Sequence, residues 1–127
     1  MPDRFDRERA HVGLGWQGIL DRAREDLLKL APNFDAVQIK EKFGTLRLYV
    51  MTGDGFHTGN TNEFFNRARQ AERESENVCE DCGTDGDSSY VTTAPLGDKN
   101  GWYRTLCEDC RKDAYARWCD FRGVSNA

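Results

Sequence analysis

The sequence predicts an α+β fold, with an N-terminal helix on a β-hairpin, a second helix, and a C-terminal module organised by four cysteines. Three observations predict it. Residues 13–31 carry apolar side chains at helical spacing, residues 37–50 form two alternating segments around Phe43-Gly44, and Cys79, Cys82, Cys107 and Cys110 make two CxxC pairs separated by 24 residues. At 127 residues, 38% apolar and 31% charged, the chain can bury only a modest core. A covalent or metal staple in the cysteine module would offset that shortfall. The parts 1–77 and 78–127 are expected to pack as one unit.

The N-terminus is charged where a secretory signal needs an apolar segment, and no run of eighteen apolar residues occurs. The expectation is a soluble, cytoplasmic protein without a membrane partner. In the first helix Trp16, Ile19, Leu20, Ala23, Leu27, Leu28 and Leu30 fall mostly on one stripe, and Pro32 stops it. In the hairpin, a loop of Phe43-Gly44 alone, or of residues 42–45, sets Val37 opposite Val50, Ile39 opposite Leu48 and Glu41 opposite Leu46. Either loop puts the apolar residues on one face; a three-residue loop would oppose Ile39 to Arg47. Because a bulky Phe resists positive φ, the four-residue loop is expected.

The glycine-rich segment 52–62 reads as a loop ending in Thr61 or Asn62 as N-cap, followed by a helix over 63–76 with Phe64, Phe65, Ala68 and Ala71 buried. Between the cysteine pairs, strands near 90–93 and 102–106 form a second hairpin. A last helix runs from after Cys110 through Phe121, with Gly123 as its C-cap.

Five cysteines, an odd number, in a chain expected in a reducing compartment argue against a closed disulfide framework. A CxxC turn aims two thiolates at one centre, and two such turns complete the tetrahedron that zinc takes with sulfur. One structural Zn²⁺ on Cys79, Cys82, Cys107 and Cys110 is the expected cofactor, with a redox pair or iron as alternatives. Four sulfurs close the shell, so the ion is not expected to activate water. Knuckle, hairpin, then a CxxC running into a helix resembles a treble-clef finger, with the zinc ribbon as the near alternative. Cys119 reads as an apolar thiol on the last helix.

The net charge of −4 is spread as 12 basic against 13 acidic residues through Val78, and 6 against 9 after it. The cysteine module is therefore a poor surface for a phosphate backbone. Against this background Lys40, Lys42, Arg47 and Tyr49 share one face of the predicted hairpin. Two readings stay open. The cations are paired by nearby carboxylates, or they form an anion site in which Arg47 forks onto a phosphate or carboxylate and Tyr49 stacks or hydrogen-bonds. The N-terminus of the following helix would add donors if it packed there.

The set Gly15-Trp16, the Lys40–Tyr49 string KEKFGTLRLY, Cys79–Gly83 and Thr105–Cys110 resembles a group of small bacteriophage and prophage proteins, and the resemblance spans most of the chain. It implies an accessory protein acting in the host cytosol. Recognition of a host protein, or sequestration of a phosphorylated, nucleotide-like small molecule, is the leading expectation, with counter-defence as one context. A nucleic-acid-binding finger is the alternative. An enzyme built on loop 53–62 around Asp54, His57 and Asn60 is the third, although common hydrolase and P-loop motifs are absent. Self-association through the hairpin edge is a further option.

Overall fold

The computed structural model describes residues 3–53, 61–84, 89–94 and 102–122. It is a mixed fold of helices and two antiparallel hairpins. The elements are α1 (Arg4–Arg9), a 3-10 turn (Leu14–Trp16), α2 (Gln17–Leu30), β1 (Asp35–Lys42), β2 (Thr45–Met51), α3 (Thr61–Glu74), a second 3-10 turn (Ser75–Asn77), β3 (Ser89–Ala94), β4 (Trp102–Cys107) and α4 (Glu108–Arg122). No helix among the described residues is long and apolar enough to cross a membrane.

The core forms between α2, α3 and one face of the first hairpin. Trp16 of the first 3-10 turn and Ile19, Leu20, Ala23 and Leu27 of α2 bury the predicted stripe against Ala36, Ile39, Leu46, Leu48 and Val50, and α3 adds Phe64, Ala68 and Ala71. Leu28, expected on the stripe, is 43% exposed, and Leu30 and Phe65 are only partly buried. Helix α1 was not anticipated, because six residues with one apolar side chain show no periodicity. Asp3 caps it by accepting from the Asp6 N–H at 2.9 Å, Phe5 is buried, and Arg24 reaches Asp3 and Asp6.

Three predicted details are corrected. Lys42 pairs with Thr45, so the turn has two residues, and both Phe43 (φ 55°) and Gly44 (φ 79°) take the left-handed conformation of a type I′ turn. The turn is held from outside: Gly44 donates to Glu41 Oε1 at 2.7 Å, and its carbonyl accepts from the Thr105 hydroxyl. Ile39–Leu48 and Glu41–Leu46 pair as predicted, but Ala36 rather than Val37 faces Val50, with an irregularity between Ala36 and Gln38. Arg4 donates to the Val37 carbonyl at 3.1 Å and so holds this bulge. Thr61 and Asn62 lie inside α3 rather than capping it.

Since a left-handed Phe costs about 1–2 kcal/mol, Phe43→Asn, which creates the preferred Asn-Gly turn, is expected to raise the unfolding free energy by about 1 kcal/mol. A urea midpoint that moves down instead would show that the Phe43 ring contributes more than its backbone costs.

Both outer edges of the first hairpin are capped by side chains. Ile39 N–H donates to Glu8 at 3.2 Å on one side, and on the other Leu48 donates to Glu72 at 2.8 Å and Leu46 to Ser75 Oγ at 2.9 Å. These groups are spent, which blunts edge-to-edge pairing of two chains.

Candidate functional site

The first CxxC makes a tight knuckle. Gly83, at φ 83°, donates to the Cys79 carbonyl at 2.9 Å, Cys79 donates to the Thr84 carbonyl at 2.9 Å, and the Cys82 N–H points at Cys79 Sγ at 3.5 Å. The second CxxC begins at the end of β4 and continues into the first turn of α4. That helix starts at Glu108, earlier than predicted, and carries Cys110. Ser89 pairs with Cys107, so the hairpin base faces the centre.

The four Sγ atoms of Cys79, Cys82, Cys107 and Cys110 all lie within 4.8 Å of one another. Cys82 and Cys107 are 3.7 Å apart, against about 3.8 Å for the edge of a tetrahedron with metal–sulfur bonds of about 2.3 Å. The four residues are positioned to hold a metal ion. The thiols also differ sharply in acidity: the Thr84 hydroxyl, 3.0 Å away, and its backbone N–H pull Cys82 down to about 6, while burial and hydrogen bonds from Cys107, Cys82 and Cys79 push Cys110 far above the ordinary thiol range. A cation at the centre would favour the thiolate form of all four.

Sequence reasoning missed how the knuckle is seated. Gly15 N–H donates to the Glu80 carbonyl at 2.9 Å, and the Trp16 indole N–H to the Val78 carbonyl at 2.8 Å. Glu80 N–H donates to the Thr105 carbonyl at 2.9 Å, and the Glu80 carboxylate accepts from Arg104 Nε at 2.8 Å and Thr105 N–H at 3.0 Å. Arg104 also pairs with Asp81. Burial raises the Glu80 carboxyl from its ordinary value, opposed by Arg104 and Thr105. The available signal was the repeated Cys-Glu-Asp-Cys and the paired glycines Gly13 and Gly15.

On the hairpin face, Lys40 stands opposite Arg47 and Gln38 opposite Tyr49, as the predicted register requires. Lys40 Nζ lies 5.9 Å over the Tyr49 ring, and Lys42 Nζ 5.7 Å over that of Phe43. Among the described residues, none of Lys40, Lys42 and Arg47 forms an ion pair. Arg47 Nε is buried with no hydrogen-bond acceptor. Helix α3 runs antiparallel to β2, with Glu72 at Leu48 and Ser75, in the 3-10 turn that follows, at Leu46, so its first turn lies away from Arg47 and adds no donors there.

His11 is exposed beside Glu8, as expected of a surface histidine. Asp54, His57 and Asn60, Gly123, and the side chains of Trp102, Trp118, Cys119 and Phe121 lie outside the described residues. Comparison of the chain with protein-family models, curated proteins and solved structures returns no match.

Proposed function

We propose that this is a zinc-stabilised, non-enzymatic binding protein that recognises an anionic group through Lys40, Lys42, Arg47 and Tyr49. Four cysteine sulfurs within 4.8 Å of one another suit Zn²⁺, which takes a closed tetrahedral thiolate shell in structural sites. The chain of knuckle, hairpin and helix supports a treble-clef reading, because the second cysteine pair straddles a strand end and a helix start. The closed shell gives zinc a folding role, and Glu80, Arg104 and Thr105 orient the knuckle that holds it.

One observation carries the binding reading: Lys40 and Arg47 face each other across the strands without carboxylates among the described residues, and Arg47 keeps a buried, unaccepted N–H. Like charges directly opposed destabilise a sheet unless an anion lies between them, and an unmet buried donor costs about 1–3 kcal/mol. A phosphate or carboxylate between the two head groups relieves the charge opposition. The partner is a host protein bearing such a group or a phosphorylated small molecule, in keeping with the phage-type resemblance and with a reducing compartment that preserves thiolates.

Inorganic phosphate titrated into the zinc-loaded chain is expected to shift the Arg47 Nε–H resonance. Arg47→Lys, which keeps the charge but loses the fork, is expected to weaken binding about tenfold with no loss of thermal stability. Equal affinity in the variant would return the face to ordinary solvated charge.

A further inference from the structure

Beside Tyr49, between the outer edge of β2 and α3, lies a depression of about 230 Å³. Its walls include Tyr49, Val50, Phe65 and Ala68, with Arg69 and Glu72 on the helix side. Pockets for drug-sized ligands run to about 300–1,000 Å³, so this one suits a single planar ring. It is apolar and partly aromatic, yet it carries one guanidinium and one carboxylate, the two side-chain types that read the acceptor and amino edges of a nucleobase. Arg47 lies two residues from Tyr49 along β2, about 7 Å at roughly 3.4 Å per residue. A sugar bridges a phosphate and a base over such a gap. In a phosphorylated tyrosine the ring sits directly on the phosphate and has no edge for Arg69 or Glu72 to read.

We propose that the hairpin face binds one nucleotide unit, with its base in the depression beside Tyr49 and its phosphate on Lys40 and Arg47. This rests on the anion-binding reading above and adds the base site to it. The unit comes from a free nucleotide or from a single strand, whose bases stack on aromatic side chains in the same way.

The test titrates the zinc-loaded full chain with the four nucleoside monophosphates, the matching nucleosides, inorganic phosphate and O-phosphotyrosine. At least one monophosphate is expected to bind tenfold or more tighter than both its nucleoside and phosphate. Tyr49→Ala should abolish that excess, while Tyr49→Phe, which keeps the ring, should retain it. A hexanucleotide of the preferred base that binds more than tenfold tighter than the monomer at the same salt assigns the unit to a strand; equal or weaker binding assigns it to a free nucleotide. Phosphate binding as tightly as every monophosphate, or phosphotyrosine binding more tightly, would overturn the base site and leave the anion face standing. No binding of phosphate or of any nucleotide would overturn both.

Discussion

Cys107→Ser is expected to abolish metal binding and the cooperative thermal transition of the whole chain, not only of its C-terminal part. Structural zinc supplies about 10–16 kcal/mol of apparent binding free energy, whereas a domain of this size has about 5–15 kcal/mol of total stability. Cys79 and Cys107 are buried, so a serine there cannot recover its lost ligand bond from solvent. The loss is transmitted because the knuckle is built onto the N-terminal core: Trp16 is fully buried and its indole N–H is bonded to Val78, one residue before Cys79. Hydrogen exchange of that indole is the direct readout. Protection is expected in the metal-loaded wild type and lost in Cys107→Ser; a protected indole in the variant would mean that residues 1–77 fold without the metal.

Gly15→Ala is expected to be nearly as damaging, by steric conflict rather than chemistry. A Cβ at position 15 would stand 2.6 Å from Gly83 N and 2.7 Å from the Glu80 carbonyl carbon, and closer still to the Cys79 carbonyl oxygen. All three are backbone atoms of the knuckle, so relief requires the knuckle to move and the Gly15–Glu80 hydrogen bond to stretch. A loss of about 3 kcal/mol or more, with weakened metal affinity, is the expected result. Gly18→Ala is the internal control. It sits in α2, where its new Cβ would meet only the mobile end of Arg22 at 3.5 Å, and helix propensity predicts a gain of up to about 1 kcal/mol. Chemical denaturation of the pair separates the docking contact from a general effect of glycine replacement.

The metal centre was legible because the four ligands announce themselves by local spacing, and each CxxC needs only its own turn to aim two sulfurs. The pairing of Ile39 with Leu48 was legible because a slip of one residue would turn the apolar face to water. Less visible were the features decided by distant partners. Phe43 accepts a left-handed backbone because Thr105, far along the chain, fixes the neighbouring carbonyl. The bulge at Val37 depends on Arg4, and α1 exists because Phe5 finds Phe34, 6.1 Å away ring to ring. Gly13 and Gly15 stand at the start of the helical stretch 13–31 read from the sequence; only the knuckle lying against them explains why no side chain fits. The cationic face was predicted from alternation alone, but the unaccepted N–H of Arg47 and the depression beside Tyr49 needed the packing of α3 on β2.

One metal ion on four thiolates is proposed to organise this chain. Native mass spectrometry of the purified protein, followed by acid release and elemental analysis, tests it most directly. One zinc per chain is expected, displaced only with loss of the compact charge-state distribution, and absent from Cys107→Ser. A metal-free protein that keeps the compact distribution, or one that holds its cysteines as disulfides, would contradict it.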